Sequence, residues 1–247
     1  MDSSKNLRIM TYNVHSCIGS DGRFSTFRIA DVIAQYEPDI VALQELDAGR
    51  IRTGEVHQAR RIAAHLKMDF HFHPSLRIRE EQYGNAIMSR HPIRLVQAGA
   101  LPTFTRRLLE KRGALWTAIR FGNREVQIIN THLGLQRQEK VLQAETLLGV
   151  EWAAHSLCRP PLVVCGDFNA IPLSPAYRRF RRVFRDAQLS VGGYRPRNTW
   201  PSRFPFFRID HVFTNHEVAV RNVEVPRDRM TRAASDHLPL IVDVNFS

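Results

Sequence analysis

The chain alternates short apolar runs with polar punctuation, and the runs follow two different periods. Eight short segments are continuously apolar or alternate apolar with polar positions: 7–14, 40–43, 86–88, 115–119, 126–130, 162–165, 209–213 and 240–244. Such runs, bounded by Asn, Asp, Gly or Pro, predict strands, and the continuous ones predict strands buried on both faces. Helical spacing places Phe27, Ile29, Ala30, Val32 and Ile33 on one helix that closes before Pro38. It returns over 59–66 and over 138–157, after which Pro160-Pro161 breaks the chain. In the block 178–185, Phe180 and Phe184 stand four apart among arginines, predicting a helix with its rings in the core and its arginines in solvent. Strands outnumber helices and no polar linker divides the chain. The pattern predicts one α/β domain over 1–247, with a core from about 7 to 244, mixed sheets inside and helices outside.

Composition adds little about the fold and more about partners. At 247 residues, with 43% hydrophobic and 24% charged content, the chain is long enough for a large core and ordinary for a folded soluble protein. There is no fixed-period repeat or low-complexity tract, which excludes solenoid and disordered classes. The polar start Met1-Asp2-Ser3-Ser4 and the lack of any span-length apolar stretch predict neither a leader nor a transmembrane segment. Cys17, Cys158 and Cys165 lack C-x-x-C spacing and predict a reducing, cytoplasmic location. The net charge of +11 implies a positive field that attracts phosphates, nucleic acid or anionic lipid surfaces without choosing among them. The densest basic block is 178–185; a second surrounds Arg106, Arg107, Lys111 and Arg112.

Polar residues of one chemical type close these strands. Leu162-Val163-Val164-Cys165 ends in Gly166-Asp167-Phe168-Asn169, where Asp167 and Asn169, two apart on extended backbone, share a face. Alone, D-x-N also fits a plain turn. Yet Asn13, Gln44-Glu45, Asn85, His132, Asp210-His211 and Asp236-His237 punctuate other strands in the same way. Buried carboxylates and amides need partners, and convergence around a metal and a phosphate would supply them. Mg²⁺ takes a few hard oxygens and shares its shell with phosphate, which suits Asn13, Glu45 and Asp236 better than the histidines. A histidine beside a carboxylate can act as general base for water, and His132 can donate to a phosphate oxygen. There is no G-x-x-x-x-G-K-[ST], G-x-G-x-x-G or G-x-S-x-G motif, which removes nucleotide-driven, dehydrogenase and serine-hydrolase chemistry. Hydrolysis at phosphorus by activated water is what remains.

The ordered set Thr11-Tyr12-Asn13, Gln44-Glu45, Gly84-Asn85-Ala86-Ile87, Asn130-Thr131-His132-Leu133, Gly166-Asp167-Phe168-Asn169, Ile209-Asp210-His211 and Ser235-Asp236-His237-Leu238-Pro239 resembles the endonuclease/exonuclease/phosphatase superfamily. The resemblance implies the deoxyribonuclease I-like fold, a four-layer α/β/β/α sandwich of two mixed sheets flanked by helices. It implies Glu45 as main Mg²⁺ ligand (Mn²⁺ being a substitute), with Asn13 and Asp236 close by. It makes His237 the catalytic histidine and Asp210 the carboxylate that holds it. Asp167 and Asn169 then orient the attacking water, contact the phosphate or bind a second metal. His132 binds phosphate and assists the leaving group, and Asn85 lies near the scissile phosphate. The expected activity is metal-dependent phosphodiester hydrolysis by a monomer.

The superfamily covers several substrates, so the fold does not choose one. His132 disfavours the apurinic-site endonuclease subgroup, which usually lacks it, and the stretch from Gln44 to Gly54 looks closest to GPI-lipid-remodelling domains and compact bacterial relatives. The aromatic, basic segment 200–208 offers Trp200, Arg203 and Phe204 as substrate-binding residues that could stack on a base or lie against lipid, or simply cover the sandwich end. Basicity tips the expectation narrowly toward a DNA or RNA nuclease, with a phospholipid-type phosphodiesterase as the alternative. A catalytically silent binding module would be expected to have lost one of these residues, and none is lost.

Overall fold

The computed structural model describes residues 6–104 and 111–246; Arg106 and Arg107 of the second basic block lie outside them. In chain order the elements are β1 Leu7–Asn13, α1 Thr26–Tyr36, β2 Ile40–Ala48, α2 Gln58–Leu66, β3 Asp69–Ile78, β4 Glu81–Ser89, β5 Ile93–Ala100, β6 Gly113–Phe121 and β7 Arg124–His132. There follow α3 Arg137–Leu148, β8 Leu162–Asp167, α4 Pro175–Val183, β9 Arg185–Asp186, β10 Asp210–Thr214, β11 Val218–Glu224, α5 Arg229–Ala234 and β12 Leu240–Phe246.

The strands form two six-stranded mixed sheets, ordered β11-β12-β1-β2-β4-β3 and β5-β6-β7-β8-β10-β9. Alternation along each central strand feeds two cores at once. Ile9, Ile40 and Ile87 of the first sheet meet Leu115, Ile128 and Val163 of the second between the sheets. Their neighbours Met10, Val41 and Leu43 turn outward onto Ile29 and Ile33 of α1 and Ile62 of α2. On the far side Trp116, Ile129 and Val164 pack on Ala144, Leu147 and Phe180 of α3 and α4. Three apolar layers between four structural layers make the expected α/β/β/α sandwich.

All eight expected strands are present, but β3, β5 and β11 are not among the segments singled out by pattern. Each is a sheet edge, and edge strands are half-solvated, so their apolar positions are diluted. The helix expected over 138–157 ends at Leu148. Gly149 stops it, and the following turns bury Trp152 while leaving Val150 in solvent. In α4 the prediction holds: Phe180 and Phe184 are buried, and Arg178, Arg181, Arg182 and Arg185 are exposed.

Register sets the catalytic end. β1 and β2 run parallel, as do β7 and β8, while β10 and β12 enter antiparallel, so the last residues of β1, β7 and β8 and the first of β10 and β12 meet at one edge, beside the middle of β2. Asn13 at the end of β1 donates from Nδ2 to Asp167 at the end of β8, which joins the two sheets there.

Candidate active site

Gly166 lets the carboxylate of Asp167 reach the centre of this edge. Its φ is +141°, and a Cβ there would stand 1.9 Å from the Thr131 carbonyl oxygen, so no other residue fits without moving β7. Asp167 faces Asp210 directly across the β8–β10 pair. Two buried carboxylates face to face call for positive charge between them, and His237 supplies it. Its Nδ1 lies 2.9 Å from Asp210 Oδ2 and its Nε2 3.7 Å from Asp167 Oδ2. Burial alone would lower the imidazole pKa; Asp210 and Asp167 outweigh it and carry it up to about 10. Burial lifts Asp167 to about 7, with Asp210 adding to the rise and His237 opposing it. Thr199 donates its hydroxyl to the same Asp210 oxygen that holds His237.

Glu45 does not sit at a strand end. It occupies a register break inside β2, between Leu43 and Leu46, with φ of +61°. The bulge re-aims its side chain to the edge where the other groups meet. Asn13 bridges the carboxylates, its Nδ2 donating to Glu45 Oε1 at 2.9 Å and to Asp167 Oδ2 at 3.0 Å. His132 stands beside them, Nε2 3.4 Å from Asp167 Oδ2. Arg112 Nη1 lies 3.1 Å from His132 Nδ1, and a guanidinium only donates, so Nδ1 accepts and Nε2 carries the proton. Burial, then Arg112 and His237, hold this imidazole neutral, its pKa well below the usual value. Asn169, at φ +46°, donates its backbone N–H to Asp167 Oδ1. Its carboxamide Nδ2 donates to the Leu133 carbonyl.

One ligand atom each from Glu45, His132 and Asp167 lies within 4.8 Å of the others, and the same holds for Asp167, Asp210 and His237. Clustered carboxylates, with Asp210 Oδ1 lacking a hydrogen-bond partner among the described residues, fit a hard divalent cation. Asp236 flanks this group from the segment before β12. Its Oδ1 is 3.2 Å from His15 Nδ1 and its Oδ2 accepts from Trp200 Nε1 at 3.1 Å. Burial disfavours its charge, but the hydrogen bond from His15 and the charge of His237 hold it down to about 2.

Asn85 lies within β4 rather than at its start, and its Nδ2 donates to the Gly113 carbonyl on the other sheet. Trp200 joins the site through Asp236, whereas Arg203 and Phe204 are exposed and line an open cleft of about 330 Å³ with Ser20, Arg229, Arg232 and Ala233. Gln44 and Asn130 of the strand-end motifs do not face the site. Gln44 Nε2 donates to Asn130 Oδ1 at 2.8 Å, and Asn130 Nδ2 donates to the Leu43 and Ala86 carbonyls, tying the sheets together. His211 is likewise buried, 2.7 Å from the Ala170 carbonyl.

Three residues absent from the sequence expectation complete the site: His15, Arg112 and Thr199. His15 opens a turn in which His15, Ser16 and Cys17 all have positive φ, held by Gln58 and Arg52. Its position two residues after Asn13 was the available signal. Arg112 and Thr199 are brought in only by folding.

Residues 10–237 match the family model described as "Endonuclease/Exonuclease/phosphatase family". The chain belongs to this family. Its members hydrolyse phosphoester bonds, generally with a divalent metal, and this chain is a phosphoester hydrolase of that kind. The chain is 25% identical over 253 residues to the Escherichia coli protein YbhP, covering 97% of this chain and 96% of that one. Its fold is similar to that of the Bacteroides thetaiotaomicron mannosyl-6-phosphatase Bt3783, with a TM-score of 0.79, 22% identity and coverage of 97% and 100%. It is also similar to the human nocturnin catalytic domain with bound sulfate, with a TM-score of 0.75, 22% identity and coverage of 98% and 94%. Among the described residues no helix is long and apolar enough to cross a membrane.

Proposed function

We propose that the chain is a Mg²⁺-dependent phosphodiesterase in which His237 and Asp167 handle the attacking water. The observation that carries this is the Asp210–His237–Asp167 line, buried at the convergent strand ends. Asp210 fixes the ring so that Nε2 faces the space beside Asp167, where a water would be oriented and deprotonated. A cation held by Glu45 and Asp167, flanked by Asn13 and Asp236, would supply positive charge that polarises the phosphoryl oxygen and favours the neutral form of His237. His132, neutral and with its proton on Nε2, can donate to a phosphoryl oxygen or to the leaving group. Asn169 holds Asp167 through its backbone N–H and ties it to the segment after His132 through the Leu133 carbonyl.

For the substrate, the net charge of +11 supports nucleic acid. The exposed phenylalanines beside the site support a phospholipid diester, and the run of apolar loops around them makes this the favoured reading. Turnover of bis-p-nitrophenyl phosphate with Mg²⁺ or Mn²⁺, abolished by EDTA, tests the chemistry; metal-independent or absent turnover rejects it. Plasmid DNA, oligonucleotides, RNA and phospholipid vesicles offered at one salt concentration test the substrate. Cleavage of nucleic acid alone would reject the lipid reading.

A further inference from the structure

We propose that the catalytic end of the sandwich is also a membrane-docking face: an arc of exposed apolar side chains, edged by arginines, that seats the chain on an anionic phospholipid surface. The arc follows from topology. β6, β7, β8 and β10 are successive neighbours in one sheet, and the segments at their catalytic ends lie side by side in that order. Phe104 precedes β6, Leu135 follows β7, Ile171 and Leu173 follow β8, and Phe204 and Phe206 precede β10. Cross-links hold these segments together. The Gln143 side chain spans the Pro102 carbonyl and the Gly134 N–H, Asn169 Nδ2 donates to the Leu133 carbonyl, and the Phe168 N–H donates to the Ile209 carbonyl.

Leu173, Phe204 and Phe206 are each at least 70% exposed. Single exposed leucines are ordinary on a protein surface, but a row of six along a catalytic mouth is not. Elsewhere, exposed residues such as Leu95, Val150 and Val183 are scattered on the flanks and the far end.

Charge selects the occupant. Segments 101–104, 133–136, 168–174 and 200–209 contain no Asp or Glu. Arg203, Arg229 and Arg232 line the cleft beside Phe204, and none of the three forms an ion pair among the described residues. An apolar arc with a basic border and a net charge of +11 complements an anionic leaflet, since hydrophobic insertion and electrostatic attraction reinforce each other. Nucleic acid is a poorer match. Phenylalanines can stack on bases, but the aliphatic Leu135, Ile171 and Leu173 find no partner on a phosphate-rich surface. The docking face deepens the phospholipid reading and rests on it for the identity of the substrate, though not for binding itself.

The test is flotation of the full chain in EDTA with phosphatidylcholine vesicles and with vesicles that also contain phosphatidylglycerol. The chain is expected to float with the mixed vesicles, and brominated acyl chains are expected to quench Trp200, since Trp116 and Trp152 are buried in the core. Leu135→Ser with Leu173→Ser is expected to weaken vesicle affinity by on the order of 10²-fold, roughly tenfold for each side chain withdrawn from the interface. Turnover of soluble bis-p-nitrophenyl phosphate should be unchanged in that variant. No flotation, or flotation that salt abolishes and the double variant does not alter, would overturn the proposal. Binding of DNA in place of vesicles, lost in the double variant, would overturn it in favour of a nucleic-acid face. Flotation without turnover of the soluble diester would instead reject the catalytic reading and leave docking intact.

Discussion

Asp210 acts through the proton it holds in place. As a carboxylate it accepts from His237 Nδ1, leaving Nε2 free to take a proton near Asp167. Asp210→Asn can still present an oxygen to Thr199 and His237 but removes the negative charge that stabilises the protonated ring. We expect kcat of the folded protein on bis-p-nitrophenyl phosphate to fall roughly 10²- to 10⁴-fold; a loss of less than about threefold would remove His237 from the chemistry. His211, one residue along, illustrates the opposite fate of a strand-end histidine. Burial, helped by Arg208 and opposed by Asp186, takes its pKa from 6.5 down to about 4. Between those values the unfolded chain binds a proton that the native state refuses, so this contribution to stability is lost as pH falls through the window. Urea midpoints measured from pH 7 downward should decline less steeply in His211→Gln, which keeps a donor for the Ala170 carbonyl. The single loss is worth on the order of 3 kcal/mol at the acid end.

At the scale of elements, the β7–β8 pair is where strand geometry and catalytic geometry are the same thing. Gly166→Ala would push a methyl into the Thr131 carbonyl and is expected to cost more than about 3 kcal/mol or to prevent folding, read by denaturant titration. The cross-sheet bond from Gln44 to Asn130 has a separable role. Gln44→Ala leaves Asn130 Oδ1 without its donor, and an unsatisfied buried acceptor costs about 1–3 kcal/mol. Stability should drop by that amount while the KM of the folded fraction stays within about twofold; a large KM change would place Gln44 in the site after all. The pattern of strand-end polar residues predicted convergence correctly, but it did not separate those that face the mouth from those that join the sheets. Alternation along a strand assigns a residue to a face, while the packing of the second sheet decides what that face meets.

The whole molecule concentrates negative charge at one edge against a positive background. Asp167, Asp210 and Asp236 gather around His237, with Glu45 beside Asp167, and binding a cation there relieves their mutual repulsion only in the folded state. Mg²⁺ should therefore raise the thermal midpoint, by an amount that corresponds to about 2.7 kcal/mol at a hundredfold excess over Kd, and EDTA should reverse it. Glu45→Gln is expected to lose most of that shift while unfolding normally in EDTA. An equal shift in the variant would place the cation elsewhere.

The apolar periods by themselves determined the central strands and the main helices that cover them, because burial on both faces leaves a continuous signal in the chain, while the four-layer order came from the family resemblance of the ordered motifs. The ordered set of spaced motifs, through its family resemblance, supplied the candidate residues for the chemistry, since any one of them alone also fits a cap or a turn. Tertiary structure alone decided the rest. Edge strands β3, β5 and β11 take their pairing from neighbours rather than from their own pattern. Glu45 reaches the mouth through a register break, and Asp167, more than Asp236, completes its cluster. Arg112 and Thr199 enter from distant segments. The apolar arc exists only because four loops far apart in sequence end side by side on one sheet. Each of these depends on which strand lies beside which, and a one-dimensional pattern carries no direct record of that adjacency.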